Sequence, residues 1–383
     1  MTKIKKHFFA QLDETVEILK ARGIETIRLD IGSPDLPPHP EVIEALSRAA
    51  SRPNTHGYQM HVGPLSYREA WAGMYERVFN VRLDPEKEII PLLGTKEGIF
   101  HLSQAFIKAG DIALIPNPYY PTYIRGTELA GGEPYLLPLR VENDYLPDLE
   151  GIPADIKAKA KLIWINYPNN PLGATAPLEF YEKLVRFAKK NNIFICADAA
   201  YTQVYYGEGP LPSILQVEGA KDVAIEFNSL SKSHNMAGWR VGAAVGNAAV
   251  LETLLKLKTN ADSGHFRPIL EAATHAMGMD QAWVHERNGV YRQRRDLIIN
   301  GLRQLGISVA SPQASLYIWV PIPEGWKSDQ FAMSLLKEAG VSVAPGTVFG
   351  SEGEGFFRIS ITQPKEKIVE AISRISEWWE ENK

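Results

Sequence analysis

Short, almost entirely apolar runs recur between residues 89 and 245, separated by stretches in which apolar residues have helical spacing. These runs lie at residues 89–93, 112–115, 161–166, 193–197, 223–227 and 241–245. A strand without polar alternation is covered on both faces, and helices between strands allow parallel pairing. The pattern therefore predicts an α/β fold, with a parallel or mixed sheet between layers of helices.

The chain beyond residue 289 follows a different pattern. Predicted strands at residues 316–320, 341–344 and 356–361 are interleaved with predicted helices at 328–339 and 365–381, which is typical of an α+β unit. A chain of 383 residues is also long for one compact unit. We therefore expect a large domain over residues 41–288. We expect both chain ends, residues 1–40 and 289–383, to form a smaller domain, with a helix at 11–22 and a strand at 27–31.

Composition argues against several classes of protein. The 41 Lys and Arg residues against 45 Asp and Glu give a net charge of −4, so no nucleic-acid partner is expected. No apolar run reaches the roughly 18 residues of a membrane span. The single cysteine, Cys196, excludes an internal disulfide framework and fits a cytoplasmic location. The nine histidines lack metal-binding spacing, so no metal site is expected.

The segment from Asn228 to Gly242 follows a predicted strand and carries Lys232 among small hydroxyl residues. Ligands of open α/β sheets bind at the carboxyl ends of strands. A lysine there is able to form a Schiff base with an aldehyde cofactor. Ser229 and Arg240 are able to grip a phosphate, the arginine through its planar fork. The alternative is that this Ser-x-x-Lys segment is only a solvated loop.

Other polar residues follow neighbouring predicted strands. Asp198 is either a helix cap or the partner of a protonated pyridine nitrogen, with Tyr201 close by in the chain. Asn170 belongs either to a simple turn or to the same ring's 3-oxygen site. Thr95 and Lys96 begin a helix whose backbone N–H groups favour anions. No Gly-x-Gly-x-x-Gly motif occurs, which argues against a nicotinamide oxidoreductase.

Together these segments resemble the class I/II aminotransferase family of pyridoxal-5′-phosphate enzymes, which has the aspartate-aminotransferase fold. The resemblance extends over essentially the whole chain. It rests on Ser-Leu-Ser-Lys and Gly-Trp-Arg within 229–240, Asp-Ala-Ala-Tyr at 198–201, Asn-Pro-Leu-Gly at 170–173, Asn-Pro-Tyr-Tyr at 117–120 and Phe-Arg-Ile-Ser at 357–360. It implies the fold of type I pyridoxal-phosphate-dependent transferases, with a mixed, mostly parallel seven-stranded sheet between helices and a smaller α+β domain. Leu172 departs from the family, which usually has threonine there.

The resemblance also implies roles for individual residues. Lys232 would carry pyridoxal phosphate and shuttle a proton, Asp198 would pair with the pyridine nitrogen, and Tyr201 would bind the ring 3-oxygen together with Asn170. Arg358 would bind the substrate α-carboxylate in a site that Gly32 and Asn170 line. The remaining implied contacts are stacking on the ring by Tyr120 and phosphate binding by Thr95, Lys96, Ser229, Ser231, Arg240 and, across a homodimer with shared active sites, Tyr58.

The implied reaction moves an amino group between an L-amino acid and a 2-oxo acid. The segments Leu29–Leu36 and Asp262–His265 most resemble LL-diaminopimelate aminotransferases, which indicates LL-diaminopimelate and glutamate as substrates. Arg267 either meets an acidic or zwitterionic substrate side chain from the partner subunit or only begins a helix. The alternative enzymes are a carbon–sulfur β-lyase and an aspartate or alanine transaminase.

A non-catalytic ligand-sensing module is a further alternative, but the complete set of Lys232, Asp198 and Arg358 argues for turnover. We also predict a cis bond between Asn170 and Pro171. The Asn170 amide must turn toward the cofactor directly after a strand, and X–Pro bonds adopt the cis form at low cost.

Overall fold

The computed structural model describes residues 8–382 and contains thirteen α-helices and twelve β-strands over that range. The helices are α1 (Phe8–Ala21), α2 (Pro40–Ala50), α3 (Leu65–Phe79), α4 (Thr95–Phe106), α5 (Pro121–Leu129), α6 (Ala154–Lys159), α7 (Leu178–Asn191), α8 (Leu230–Ser233), α9 (Ala248–Lys258), α10 (Arg267–Gly278), α11 (Ala282–Gln304), α12 (Ser328–Ala339) and α13 (Lys365–Asn382). The strands are β1 (Ile27–Arg28), β2 (Ile89–Leu92), β3 (Ile112–Asn117), β4 (Glu133–Pro138), β5 (Ala160–Asn166), β6 (Phe194–Asp198), β7 (Ala224–Ser229), β8 (Gly242–Gly246), β9 (Tyr317–Pro321), β10 (Val341–Ser342), β11 (Ala344–Pro345) and β12 (Phe356–Ser360). None of the helices in this range combines the length and the apolar character that crossing a bilayer requires.

Seven strands form the central sheet, in the order β2-β8-β7-β6-β5-β3-β4. The five strands from β7 to β4 run parallel, whereas β8 is antiparallel to both of its neighbours. The predicted mixed, mostly parallel seven-stranded sheet is therefore confirmed. Because β3, β5, β6 and β7 share one direction, the residues that follow them meet at one edge of the sheet.

Both faces of the central sheet are covered by apolar side chains, as strands without polar alternation require. On one face the Trp164 ring stacks between Tyr123 and Phe227, with centroid separations of 4.9 and 5.9 Å. All three residues are fully buried. Tyr123 comes from α5, so this aromatic stack packs α5 against β5 and β7 and places the Tyr123 hydroxyl toward the end of β6.

The chain ends meet in two smaller sheets. Strands β11, β12 and β9 form an antiparallel sheet, in which Arg358 lies opposite Trp319. Strand β1 pairs in parallel with β10, Ile27 opposite Val341, and Leu29 continues the pairing through an N–H bond of 2.8 Å to the Ser342 carbonyl. The N-terminal segment is thereby attached to the C-terminal strands.

Several elements differ from the sequence prediction. The strand predicted at 27–31 pairs only over Ile27–Arg28, because the chain then leaves the sheet toward the site. The strand predicted at 341–344 is two short strands, β10 and β11, which belong to different sheets. Helix α6 and strand β4 were not predicted. Strand β4 is an edge strand, partly exposed and containing proline, so it lacks the apolar signature of its neighbours.

Candidate active site

A cavity of about 430 Å³ opens at the carboxyl ends of the parallel strands. Twelve of the fourteen residues predicted for the site line it, and they come from distant parts of the chain. They are Gly32, Thr95, Lys96, Tyr120, Asn170, Asp198, Tyr201, Ser229, Ser231, Lys232, Arg240 and Arg358. The cavity walls also include Asn166, Tyr317 and Phe349, which the sequence prediction did not single out.

Asp198 ends β6 with a buried carboxylate that is only half satisfied. Its Oδ2 accepts a 2.7 Å hydrogen bond from the Tyr123 hydroxyl, while its Oδ1 has no partner. Burial raises the pKa of Asp198 to about 6, although the hydrogen bond from Tyr123 and the nearby Ala200 N–H act to lower it. An ionised carboxylate with one free, buried oxygen facing a cavity is suited to hold a cationic N–H group.

Lys232 lies in α8, the single helical turn that follows β7. The Ser229 hydroxyl caps this turn by accepting the Ser231 N–H at 3.1 Å. The Lys232 amine donates to the Gly32 carbonyl and lies 6.0 Å from the centroid of the Tyr201 ring. Burial lowers the pKa of the Lys232 ammonium, and the nearby Arg358 and Arg240 guanidinium groups lower it further. The amine is therefore closer to its neutral, nucleophilic form than a surface lysine.

Hydroxyl, guanidinium and backbone N–H groups converge at one end of the cavity. Ser229 Oγ lies 2.9 Å from Ser231 Oγ, and Arg240 Nη1 lies 3.5 Å from the same Ser231 atom. The first turn of α4 lines the same end of the cavity as these side chains. It begins at Thr95, directly after the tight turn at Gly94. Gly94 has φ 79°, and a Cβ on it would lie 2.1 Å from Arg240 Nη2, so this approach requires glycine. Such a set of donors suits a phosphate group.

Arg358 stands at the other end of the cavity with its guanidinium fixed from several sides. Nη1 donates to Asn170 Oδ1 at 2.8 Å and Nη2 donates to the Asp30 carbonyl at 2.5 Å. Its Cζ lies 4.1 Å from the centroid of the Tyr317 ring and 4.8 Å from that of Phe349. The planar fork is thus held between two rings, as a carboxylate-binding arginine requires.

The turn after β5 links these groups. The peptide bond between Asn170 and Pro171 is cis, as predicted, and the bonds preceding Pro118 and Pro168 are also cis. The Asn166 side chain accepts the Asn170 N–H and donates to the Asp198 carbonyl, both at 2.8 Å. One amide side chain therefore fixes the ends of β5 and β6 relative to each other.

Two of the predicted site residues lie outside the cavity of this chain. Tyr58 is 95% exposed. Arg267 begins α10 and pairs with Glu271 one turn later, Nε to Oε1 at 2.8 Å, with its side chain 40% exposed. Their predicted roles require a second copy of the chain and stay predictions.

The segment that precedes Arg267 is attached to the phosphate end of the cavity by a buried lysine. Lys258 Nζ has no exposed side-chain surface and contacts Glu97 Oε1 at 3.1 Å and Asp262 Oδ2 at 2.6 Å. Glu97 also accepts the Leu93 N–H at 2.6 Å, and His265 Nε2 lies 3.0 Å from the Arg240 carbonyl oxygen. This network connects the start of α4 with the loop from Asp262 to His265.

Two residues with clear contacts in the site were missed in the sequence. Tyr123 follows Tyr120 by three residues in α5, and this helical spacing alone could have indicated a shared face. Tyr317 lies in β9, and its hydroxyl is 2.9 Å from that of Tyr201. No local motif marks Tyr317, because its position depends on how β9 pairs with β12.

The cavity brings together a buried carboxylate, a buried amine, a set of hydroxyl and guanidinium donors and the fixed Arg358 guanidinium, and comparison with known proteins identifies the family. The model of the family described as "Aminotransferase class I and II" matches residues 24–375. The chain belongs to this family and is an aminotransferase.

Individual relatives and solved structures show the same similarity over nearly the whole chain. The LL-diaminopimelate aminotransferase of Nitratidesulfovibrio vulgaris is 48% identical over 98% of this chain and 97% of its own length. That of Aquifex aeolicus is 46% identical over 96% of this chain and 95% of its own. Among solved structures, substrate-bound BacF from Bacillus subtilis superposes with a TM-score of 0.94 at 36% identity, covering 98% of this chain and 96% of that chain. Aspartate aminotransferase from Thermus thermophilus has the same fold, with a TM-score of 0.91 at 28% identity, covering 98% and 97%.

Proposed function

We propose that this aminotransferase uses pyridoxal 5′-phosphate bound to Lys232 and that its amino donors are LL-diaminopimelate and glutamate. The single observation that carries the cofactor assignment is the free, buried Oδ1 of Asp198 in the same cavity as the Lys232 amine. A pyridine nitrogen that carries a proton supplies the partner that this oxygen lacks.

The other residues of the cavity fit the rest of the cofactor. Thr95, Lys96, Ser229, Ser231 and Arg240 would hold its phosphate, Tyr120 would stack on its ring, and Tyr201 with Asn170 would bind its 3-oxygen. Tyr58 would add a further phosphate contact from the partner subunit. Bound pyridoxal phosphate would supply an aldehyde for the amino group and a ring that takes up the electron pair released at the substrate α-carbon.

The chain's own groups control the protons in this reaction. Asp198 keeps a proton on the ring nitrogen through a charge-assisted hydrogen bond. The Lys232 amine would be released when the amino donor takes its place on the cofactor. The free amine, whose pKa is lowered by burial, would then remove the proton from the substrate α-carbon near neutral pH. Arg358 binds the α-carboxylate through two parallel hydrogen bonds and so aligns the α-carbon with the Lys232 amine. By binding the 3-oxygen, Tyr201 would lower the pKa of the nitrogen through which Lys232 holds the cofactor, and this nitrogen is called here the Lys232 linkage.

The substrate proposal draws on the named relatives. LL-diaminopimelate aminotransferases match over nearly the whole chain at 46–48% identity, so the same amino donor is proposed here. Arg267 of the partner subunit would face the distal, zwitterionic end of that substrate. An aspartate or alanine transaminase and a carbon–sulfur β-lyase are the alternative activities on the same fold.

Three further proposals concern the assembly and its location. The large domain would extend over residues 41–288 and the small domain over 1–40 and 289–383. The apolar cluster that joins Ile27 and Leu29 to residues 291–379 supports this division, and it also includes Ala200, Tyr201, Val204 and Tyr206 of the large domain. The enzyme would be a cytoplasmic homodimer with shared active sites. Tyr58 and Met60, two residues apart, are 95% and 69% exposed, and this pair of large exposed side chains supports an interface at that segment.

A substrate panel with a covalent map tests the proposal. The holoenzyme is reduced with borohydride and digested, and the pyridoxyl group is expected on the peptide that contains Lys232. Rates with LL-diaminopimelate, glutamate, aspartate and alanine are then measured with 2-oxo acid acceptors, in wild type and in Arg267→Ala. A selective loss for LL-diaminopimelate is expected. An adduct on another lysine contradicts the cofactor site, an equal loss for all four donors contradicts the role of Arg267, and release of pyruvate and ammonia without an acceptor indicates a β-lyase.

A further inference from the structure

Tyr317 lies between the cofactor half and the substrate half of the cavity. Its side chain is buried, and its hydroxyl is 2.9 Å from the Tyr201 hydroxyl. Its ring lies against the Arg358 guanidinium, 4.1 Å from ring centroid to Cζ. A Cβ built on Gly32 would come within 2.0 Å of the Tyr317 hydroxyl oxygen, so this phenol also closes the cavity against the backbone at Gly32.

The hydrogen bond between the two phenols has a definite direction once the ring 3-oxygen is bound. Each phenol has one proton, and the proposed function requires that of Tyr201 for the 3-oxygen. The Tyr201 oxygen must then accept a hydrogen bond from the Tyr317 hydroxyl. Tyr317 is thus the outer donor in a chain of two hydrogen bonds that ends at the 3-oxygen. Donors in a buried chain polarise one another, so the outer bond strengthens the inner one.

The charges around the pair favour the same direction. Burial, and then the Tyr317 phenol beside it, raise the pKa of Tyr201. Burial alone would raise the pKa of Tyr317 as well, but the Arg358 guanidinium, the Lys232 ammonium and the hydrogen bond with Tyr201 together outweigh it and lower the pKa. The positive charge of Arg358, 4.1 Å from the Tyr317 ring, repels a nearby proton and so favours the orientation in which the Tyr317 O–H points toward Tyr201.

We propose that Tyr317 is a positioning residue with two separable parts, a hydroxyl that strengthens the hold of Tyr201 on the cofactor 3-oxygen and a ring that holds Arg358 in its carboxylate-binding orientation. The inference deepens the proposed function and rests on it. It assigns a role to a residue that touches Tyr201 and Arg358 but contributes no atom to the phosphate cradle or to the acid pair.

Other charged and titratable groups around the pair are left in place when only the hydroxyl is removed. They are Arg358 from β12, Lys232 from α8, Asp198 from β6 and Tyr120 at the start of α5. Tyr317→Phe keeps the ring over Arg358 and leaves these groups unchanged. A shift in titration in this variant therefore reports the hydroxyl.

The first measurement is the pKa of the Lys232 linkage, read from the pH dependence of the visible absorbance of the holoenzyme. Tyr317→Phe is expected to raise this pKa by about one pH unit, the scale of one hydrogen bond. Tyr201→Phe is expected to raise it further, and the double variant to match Tyr201→Phe, because the effect of Tyr317 passes through Tyr201. An unchanged pKa in Tyr317→Phe, or a further shift in the double variant, overturns the proposal that the Tyr317 hydroxyl acts through Tyr201.

The second measurement separates the ring from the hydroxyl. KM for the amino donor is expected to stay within about twofold of wild type in Tyr317→Phe and to rise about tenfold or more in Tyr317→Leu, which removes the ring from Arg358. Equal KM values in the two variants overturn the ring's role.

Tyr206→Phe is the matched control, because Tyr206 is another buried tyrosine whose hydroxyl donates to the Ser315 carbonyl and does not line the cavity. It is expected to leave the linkage pKa and KM unchanged, and an equal shift in this control would mark the effect of Tyr317 as general and overturn the inference. A wild-type protein that shows no titrating visible band, or a Lys232→Ala variant that keeps it, overturns the proposed function itself.

Discussion

The Tyr123 hydroxyl donates to Oδ2 of Asp198 at 2.7 Å and leaves Oδ1 of the same buried carboxylate without a partner. Burial raises the pKa of this acid from 3.8 to about 6. At neutral pH the protein thus maintains a buried charge at a cost in stability, and either protonation or a cation at Oδ1 relieves that cost.

We expect Asp198→Asn to stabilise the cofactor-free protein while abolishing transamination. The folded-state pKa of Asp198 lies above its unfolded value, so the stability of the wild type falls as pH rises from about 4 through 6. The gain in Asp198→Asn should therefore grow between pH 5 and pH 7.5, to at most roughly 3 kcal/mol. Urea unfolding of both proteins across this pH range measures it, with the exposed Asp155→Asn in α6 as control. A gain in stability that is independent of pH would contradict the raised pKa of Asp198.

Lys258→Met should destabilise the fold by about 3–5 kcal/mol, because it leaves Glu97 and Asp262 without their shared buried cation. Lys256→Met is the matched control in the same helix. Lys256 is 71% exposed and pairs with the equally exposed Glu252, so its loss should cost under about 1 kcal/mol. Chemical denaturation of the two variants gives the comparison. Similar costs would show that the buried network contributes little.

Arg358→Lys should raise KM and lower kcat for every amino donor, with a fall in kcat/KM of about 100-fold. A lysine lacks the planar fork that lies between Tyr317 and Phe349 and donates to Asn170 Oδ1. Steady-state kinetics over the donor panel tests this, and the exposed Arg292→Lys in α11 serves as control. A loss confined to one donor would mean that Arg358 binds a side chain and not the common α-carboxylate.

Hybrid dimers test the shared site. Tyr58→Phe and Lys232→Ala subunits carrying different affinity tags are mixed, and the heterodimer is isolated. If Tyr58 contributes to the partner subunit's site, the site that contains Lys232→Ala also contains Tyr58→Phe. The other site then has both wild-type residues and wild-type affinity for the cofactor. If Tyr58 serves its own chain, the heterodimer has only one site and that site carries the Tyr58 lesion. Cofactor titration of the heterodimer distinguishes these outcomes, and a monomer by light scattering contradicts both.

The central strands could be predicted because each is buried on both faces and is therefore apolar along its length. Strand β4 escaped prediction for the opposite reason, since an edge strand keeps polar and proline residues. The strand-end residues Asp198, Asn170 and Lys232 were predictable from short motifs. Their convergence follows from parallel pairing alone.

Tyr317 could not be predicted in the same way. It reaches Tyr201 only because β9 pairs with β12 in the register that places Ser360 opposite Tyr317, two residues from Arg358. Such a register depends on tertiary packing at the far end of the chain and has no local sequence signal. The roles of Tyr58 and Arg267 depend on a second chain and so lie beyond what one chain's fold determines.

The pairing of β1 with β10 also sets an order on biosynthesis. During translation Leu29 leaves the ribosome long before its partner Ser342 has been synthesised. The large sheet is therefore able to assemble while β1 is still unpaired. The waiting segment carries Asp30 and Gly32, which wall the cavity beside Arg358. A chain that ends before β10 lacks Arg358, and its Asp30 and Gly32 have no strand to hold them at the cavity. The proposed substrate site is therefore complete only after Arg358, close to the C-terminal end of the chain, has been synthesised.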